Sequence, residues 1–129
     1  MISPDSVGRT FAGAKSTTIS QSEITEFAAV FGESENSVAT PTFSIRVSLD
    51  QLQEILTDPQ VGINWDRVVH GDQKFEIHRP IVAGDVLTCD ATIETYRVAA
   101  GNEFIGVKSD LRNGEELVST NWCTIVVRA

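Results

Sequence analysis

The sequence is poor in the residues that most often carry catalysis, with two histidines, two cysteines and one tyrosine among 129 residues. Cys89 and Cys123 form no CxxC pair and lie in apolar alternating segments, so we expect buried free thiols, with a disulfide as the alternative. No run approaches the ~18 apolar residues of a membrane span, and no basic stretch followed by an apolar one opens the chain. We therefore expect a cytoplasmic protein.

Positive charge is also scarce. Ten Lys and Arg stand against eighteen Asp and Glu, which gives a net charge of -8 and a pI near 4.6. Nucleic acids and anionic membranes both require a basic surface on the protein that binds them. The composition therefore argues against both as partners.

Several catalytic signatures are missing as well. No serine lies in a GxSxG elbow, and no GxGxxG or GxxxxGK loop is present to hold a phosphate. His70 and His78 are eight residues apart, which is not a spacing typical of metal ligands. The sequence therefore argues against nucleophilic, nucleotide-dependent and metal-dependent chemistry, and it predicts no metal site.

The first half of the chain predicts two helices, the first over about residues 18–32. Ser20 is a suitable N-cap, Glu23 completes a capping box, and Ile19 and Ile24 can form a hydrophobic staple. Gly32 is well placed to end the helix in a left-handed conformation. The apolar stripe of this helix consists of Ile24, Phe27, Ala28 and Phe31.

A polar segment, residues 33–39, separates this helix from the second one. Thr40 and Pro41 form a helix start, and the pattern continues to Asp58 and Pro59. Strand-like alternation competes in the first half of the segment, but its length favours a helix. We expect this helix to be largely buried through a wide apolar face made of Ile45, Leu49, Leu52, Ile55 and Leu56.

After Gly62 the pattern changes to strands. Val and Ile alternate with polar residues over about residues 67–79, 86–98, 103–112 and 117–128. Turn residues separate the last three segments, namely Ala100-Gly101-Asn102 and Asn113-Gly114. Two helices followed by an antiparallel meander predict one α+β domain over residues 1–129, in which a curved sheet covers a helix. An exposed sheet edge would favour dimerisation.

The stretch from Arg67 to Asp85 is the most informative, because both histidines lie there. On a regular strand His70, Asp72, Lys74, Glu76 and His78 share one face, which offers candidates for general acid or base chemistry. A solvated surface or a dimer interface has the same pattern, so that alternative stays open. Further along, Gly84 and Asp85 are typical of a turn that enters the next strand, or of backbone that approaches a ligand closely.

These motifs together resemble a known family. Ala39-Thr40-Pro41-Thr42-Phe43 after the first helix, then Val69-His70-Gly71-Asp72-Gln73, then Arg79-Pro80-Ile-Val-Ala-Gly84-Asp85, are similar to the MaoC-like, or N-terminal FAS1-dehydratase-like, hot-dog proteins. The resemblance covers nearly the whole chain in order. Its most specific parts are the His-Gly-Asp-Gln and Arg-Pro-x-x-Ala-Gly-Asp motifs.

The resemblance implies a hot-dog fold, a long helix wrapped by an antiparallel sheet, with two such units paired into one continuous sheet. It implies (R)-3-hydroxyacyl-thioester dehydration or enoyl-thioester hydration in fatty acid metabolism, on coenzyme A or acyl carrier protein, without a cofactor. The acyl tunnel of such enzymes runs at the dimer interface. By this resemblance the substrate-binding residues are Thr42, His70, Gly71, Asp72, Gly84 and Asp85.

The chain departs from the family pattern at the catalytic dyad, the Asp and His of a Gly-Asp-x-Asn-Pro-x-His motif after the first helix. Glu33 stands in the place of the Asp and Val38 in the place of the His, and the segment is short. Loss of such a proton partner typically costs ~10²–10⁴ in rate. We therefore assign no catalytic residue to this chain.

Three hypotheses follow from this departure. The leading one is a non-catalytic subunit that shapes the acyl tunnel beside a dyad-bearing hot-dog partner. The second is a homodimeric hydratase using displaced residues such as Glu33, Asn36 or His70, and the third is a non-enzymatic acyl-thioester binding protein. Thioesterase chemistry is a further option for the fold. A basic patch for a pantetheine phosphate or an acidic carrier could be formed by Arg67, Lys74, Arg79 and Arg97.

Overall fold

A computed structural model describes residues 1–13, 15–33 and 37–129 of the protein. Its helices are α1 (Gln21–Val30) and α2 (Ile45–Thr57), and short 3₁₀ turns cover Pro4–Ser6 and Trp65–Arg67. The strands are β1 (Thr10–Phe11), β2 (Thr17–Thr18), β3 (Val68–Ile77), β4 (Val86–Ala99), β5 (Asn102–Asn113) and β6 (Glu116–Val127). The four long strands lie within one or two residues of the predicted segments. None of the described helices is long and apolar enough to cross a membrane.

All six strands belong to one antiparallel sheet, in the order β1-β4-β5-β6-β3, with β2 also paired to β4. The predicted turns join β4 to β5 and β5 to β6, and Ala100 and Gly101 both have positive φ, as a tight hairpin requires. Strand β3 pairs with β6 on one side only, and no other described strand covers its second edge. The sheet therefore has a ten-residue edge that is open to a partner.

Helix α1 starts as the sequence predicts. The Glu23 N–H donates to Ser20 Oγ at 3.1 Å, and Ser20 Oγ donates in turn to Glu23 Oε1 at 2.9 Å. Ile19 and Ile24 are buried in one cluster, as a staple requires. The predicted apolar stripe is wrong at one of its residues. Phe31 lies beyond the last helical turn and is 60% exposed.

Helix α2 differs from its prediction in two ways. Residues 41–44 form tight turns, so that the helix begins at Ile45 rather than at Thr40. Leu49 is 43% exposed, whereas Ser48 and Gln51 are buried. The prediction of a wide apolar face is therefore wrong, because the buried face of α2 is partly polar. Of the predicted set, only Leu52, Ile55 and Leu56 are buried.

A buried hydrogen-bond network explains why serines occupy the inner face of α2. The side-chain amide of Asn121 on β6 donates to Ser44 Oγ at 3.0 Å and to Ser48 Oγ at 3.1 Å. Its carbonyl oxygen accepts from Ser119 Oγ at 2.9 Å. Buried polar groups are tolerated when they are hydrogen-bonded in this way. The network fixes the start of α2 against the middle of β6.

Apolar packing completes the contact between helix and sheet. Leu52, Ile55 and Leu56 pack in one cluster with inward side chains of β4, β5 and β6. Cys89 and Cys123 are free and buried, which confirms the prediction of buried thiols. Burial raises the pKa of each thiol to about 12, so that neither forms a reactive thiolate at neutral pH.

An ion pair anchors the loop between β3 and β4. The guanidinium of Arg79 binds both carboxylate oxygens of Asp85, at 2.8 and 3.1 Å, and also contacts Glu116. The Val82 N–H donates to Asp85 at 3.0 Å, and Asn113 Nδ2 donates at 3.3 Å. Hydrogen bonding from Arg79 lowers the pKa of the buried Asp85 carboxyl, against the opposing effect of burial. We call this arrangement the loop clasp.

We expect Asp85→Asn to destabilise the protein by about 2 kcal/mol, because it removes charged hydrogen bonds from a buried site. The pKa of Asp85 is lowered on folding, so its contribution is present above the unfolded value of about 4 and disappears as the pH falls further. Urea unfolding at several pH values measures both effects. The difference between variant and wild type should therefore shrink below about pH 4.

Glu116→Gln is the matched control, because Glu116 binds the same arginine from an exposed position. Exposed ion pairs contribute less than about 1 kcal/mol. Equal losses for the two variants, or a difference for Asp85→Asn that persists at low pH, would contradict the clasp as described.

Candidate functional site

The candidate site is a groove of about 250 Å³ beside the free edge of β3. It lies between the segment that precedes α2, the loop after β3, and the ends of β3 and β6. We call it the β3 groove, and its walls are Val38, Ala39, Thr40, Pro41, Ser44, Ile77, Pro80, Ile81 and Ser119. Six of these nine residues are apolar, so the groove suits an alkyl chain.

Each wall of the β3 groove is held by structure elsewhere. The loop clasp fixes residues 79–85, which include Pro80 and Ile81. The Ala39 N–H donates to the Ile81 carbonyl at 2.7 Å, so the segment before α2 is tied to that loop. Ile77 and Ser119 are register partners in β3 and β6. The groove is therefore formed before any ligand arrives.

The hydroxyl groups in the groove fall into two kinds. Ser44 and Ser119 are bonded to the buried Asn121, as described above. The Oγ1 atom of Thr40 is buried and has no hydrogen-bond partner among the described residues. An unsatisfied buried polar atom is rare in native proteins and requires an explanation.

The β3 groove contains no titratable side chain among its described lining residues. His70 is exposed on β3, where its Nε2 lies 3.0 Å from Gln73 Oε1, and His78 Nε2 lies 3.4 Å from Thr120 Oγ1. No cluster of three or more His, Cys, Asp or Glu in the described parts of the chain could hold a metal ion. The groove can bind and orient a ligand, but the lining residues that the structure describes offer no group for proton transfer.

The predicted row of polar side chains on β3 is interrupted. A bulge at Gly71 shifts the register, so that His70 pairs with Ile125 on the inner face while Asp72 pairs with Thr124 on the outer face. Directly paired residues share a face of the sheet. The prediction that His70 shares a face with Asp72 is therefore wrong, because a bulge reverses the alternation.

Gly71 and Asp72 lie instead at a depression of about 410 Å³ on the outer face of the sheet, away from α2. A Cβ at Gly71 would lie 3.1 Å from the Thr124 carbonyl, so the close strand pairing favours glycine. Asp72 Oδ1 accepts from the Thr124 N–H at 2.9 Å. Local contacts of the bulge thus account for both residues.

The other predicted substrate-binding residues are also outside the β3 groove. Thr42 is exposed in the turns before α2, and its carbonyl accepts from the Ile45 N–H. Gly84 has φ +94° in the loop before β4, where a turn residue was predicted. Asp85 belongs to the loop clasp. The structure therefore does not bring the six predicted residues together.

Sequence reasoning missed the residues that do line the groove. Thr40 and Pro41 were within the quoted motif, so a signal existed two positions from Thr42. Ser44 and Ser119 gave no signal, because their meeting depends on how α2 packs against β6. Hydroxyl groups at such positions can be recognised as part of a groove only when the tertiary structure is known.

The residues of the predicted basic patch do not line the β3 groove. The guanidinium of Arg79 is bound to Asp85 and Glu116 in the loop clasp. The charged groups of Lys74 and Arg97 lie over the rings of Trp122 and Phe104, at 4.7 and 3.9 Å from the ring centroids. Their rings project from the outer face, on the side of the sheet opposite α2. These cations therefore do not converge on the β3 groove.

The segment expected to hold the catalytic dyad is described at both ends. The Glu33 N–H donates to the Ala28 carbonyl at 3.2 Å, at the end of α1, and Val38 lines the β3 groove. Asn36, named as a displaced catalytic candidate, lies outside the described residues. Val38, which the sequence resemblance places at the His of the family motif, is therefore a wall of the β3 groove.

Comparisons with known proteins agree with the fold. A UPF0336 protein of Streptomyces griseus subsp. griseus is 34% identical over 95% of this chain and 93% of its own length. The truncated HadBC (3R-hydroxyacyl-ACP dehydratase) complex of Mycobacterium tuberculosis aligns with a TM-score of 0.78 at 21% identity, over 95% of this chain and 97% of that one. The ChsH1-ChsH2 complex of the same organism gives 0.64 at 15% identity, over 93% and 83%.

The structural matches confirm the predicted α+β hot-dog fold. Residues 5–120 match the family model described as FAS1-like, dehydratase domain region. This match covers most of the chain and agrees with the motifs around Thr40, His70 and Asp85. The protein therefore belongs to the FAS1-like dehydratase family of MaoC-like hot-dog proteins.

Proposed function

We propose that this chain is a non-catalytic subunit of an (R)-3-hydroxyacyl-thioester dehydratase, or enoyl-thioester hydratase, that binds the acyl chain in the β3 groove. A second hot-dog subunit supplies the Asp and His that move the protons. The carrier of the thioester is coenzyme A or acyl carrier protein, and the subunit works in the cytoplasm.

One observation carries this proposal, namely the apolar lining of the β3 groove, whose walls include Val38. Water addition to an enoyl thioester needs a group that removes a proton and a group that returns one. Val38 stands where the family has its His, and the described lining offers only aliphatic, proline and hydroxyl side chains. Binding without proton transfer is the chemistry that such a lining supports.

The free edge of β3 supports assembly with a partner. Val69 and Ile77 on this strand are large apolar residues that stay exposed, which is unusual for an edge strand without a cover. The outer-face side chains Asp72, Lys74 and Glu76 alternate in charge, so a strand with complementary charges can pair in a defined register. The HadBC and ChsH1-ChsH2 matches are both named as complexes, which favours a different hot-dog subunit as the partner.

The direct test is hydration of a short trans-2-enoyl-CoA, followed by the loss of enoyl absorbance. We expect the pure chain to be slower by at least ~10² than a co-expressed pair that includes a dyad-bearing hot-dog subunit. Comparable turnover by the chain alone would contradict the proposal and favour a homodimeric hydratase. Acyl binding without turnover in any pairing would favour a binding protein.

Assembly through β3 is tested by Ile77→Glu, with Val98→Glu as the matched control. Both residues are exposed on strands, at 43% and 48%, but Ile77 lies on β3 and Val98 lies on β4. We expect Ile77→Glu to weaken the assembly at least tenfold, because a buried charge without a partner is costly. Sedimentation velocity measures the change, and equal behaviour of the two variants would argue against β3 as the interface.

Acyl binding in the groove is tested by Val38→Trp, with Val30→Trp as its control. Val38 is an exposed residue of the groove wall, and Val30 is exposed at the end of α1, so neither change strains the core. We expect at least tenfold weaker acyl-thioester binding for Val38→Trp in titration calorimetry, because the indole fills the groove. Unchanged affinity in this variant would place the acyl chain elsewhere.

A further inference from the structure

The turn between β5 and β6 contains an asparagine followed by a glycine, the pair in which an asparagine side chain is chemically least stable. Of the five asparagines in the chain, only Asn113 precedes a glycine. Asn113 is the last residue of β5, and Gly114 is exposed in the turn with φ +61°. Because glycine has no Cβ, its backbone nitrogen is the least hindered one for attack on the preceding side chain. The turn therefore contains both groups that deamidation requires.

The chemistry of this pair needs only water. The Gly114 nitrogen gives its proton to a solvent base and attacks Cγ of Asn113, so that a carbon–nitrogen bond forms and ammonia leaves. Water then opens the resulting cyclic imide at either of its carbonyl groups. The product is an aspartate at position 113, or the isoaspartate in which the main chain runs through the former side-chain carbonyl. Because Gly114 is exposed, solvent base reaches its N–H.

The folded protein holds the Asn113 amide away from this reaction. Its Nδ2 donates to Asp85 Oδ1 at 3.3 Å, and its Oδ1 accepts from the Val86 N–H at 3.3 Å. The residue also pairs with Leu87 and Glu116 on the neighbouring strands. Closure of the imide requires the side chain to leave both bonds and the backbone to leave the extended strand. Local opening of this end of the sheet therefore controls the rate.

Conversion of Asn113 would change the loop clasp in two ways. The clasp loses the amide that donates to Asp85, and it gains a carboxylate at the same position. Asp85 is only 5% exposed, so a second negative charge beside it is poorly screened by water. Arg79 already binds Asp85 and Glu116, and would have to neutralise a third carboxylate. Deamidation therefore acts against the ion pair that holds the loop between β3 and β4.

We propose that Asn113 is a deamidation site that the loop clasp protects, and that its conversion opens the clasp. While the clasp is closed, the amide is held by Asp85 and Val86 and reacts slowly. Each converted molecule loses the bond between the turn and the loop, and the loop carries Pro80 and Ile81 of the β3 groove. The modification therefore loosens one wall of that groove, whichever ligand the groove binds.

The site and its protection are tested by incubating the full chain in warm, mildly alkaline buffer, either folded or in urea. Mass spectrometry of tryptic peptides, with fragmentation, locates each amide that has become a carboxyl. We expect conversion at Asn113, with isoaspartate among the products, and at least about tenfold faster in urea than in the folded chain. Asp85→Asn should accelerate the reaction of the folded chain about tenfold, whereas the control Glu116→Gln should change it less than about twofold.

The effect on the clasp is tested by Asn113→Asp, which carries the charge of one product. Asn113→Ala is the matched control, because it removes both side-chain bonds without adding a charge. We expect Asn113→Asp to unfold at lower urea than the control. A protease of low specificity should cut residues 79–85 at least about tenfold faster in Asn113→Asp, because cleavage follows the population of the open loop.

Other results would overturn the inference. Conversion of another asparagine as fast as Asn113, or no conversion even in urea, would refute the assigned site. Equal rates in the folded chain and in urea would refute its protection, and this comparison on the wild type stands even if Asp85→Asn does not fold. Equal stability and equal cleavage of Asn113→Asp and Asn113→Ala would show that the new charge does not open the clasp.

Discussion

The ion pair between Arg79 and Asp85 holds the part of the molecule on which the candidate site depends. Asp85 receives the guanidinium, the Val82 N–H and the Asn113 amide, so that the loop between β3 and β4 is closed around a buried charge. The backbone of the same loop also bonds to Ile19 at the start of α1, through the Gly84 N–H and the Asp85 carbonyl. Breaking a buried pair of this kind leaves an uncompensated charge, which is why one substitution is expected to loosen several elements at once.

The groove inherits its geometry from this clasp and from the Asn121 network. The clasp places Pro80 and Ile81, whereas the network places Ser44 and Ser119, and the Arg79 N–H also donates to the carbonyl of Val118, next to Ser119. Neither the clasp nor the network places a titratable side chain among the described residues that line the groove. Under the proposed function the groove holds the acyl chain, and the open β3 edge is where a second subunit would add the groups that move protons.

Much of the fold could be predicted from the sequence, because local rules governed it. Alternation located the long strands, turn residues located both hairpins, and Ser20 with Glu23 located the start of α1. The inner face of α2 could not be predicted, since Ser48 and Gln51 are buried for their hydrogen bonds rather than for hydrophobicity. The predicted face of His70 was wrong, because the alternation of apolar and polar residues does not indicate a bulge at Gly71.

The site was harder to predict than the fold, for a related reason. The Arg-Pro-x-x-Ala-Gly-Asp motif identified the family, but in this chain its Arg and Asp bond to each other rather than line the groove. The residues that line it come from four separate segments, and Ser119 meets Thr40 only through tertiary packing. A motif can therefore indicate the family while the proposed acyl site lies beside it.

The most direct test of the account is a crystal structure of this chain in complex with a dyad-bearing hot-dog subunit and a non-reacting acyl thioester. The account predicts that β3 pairs with the partner and that the acyl chain lies between Val38, Thr40 and Ile77, with its reacting carbons beside the dyad of the partner. An acyl chain bound at the outer depression near Gly71, or a partner attached to another edge of the sheet, would contradict it.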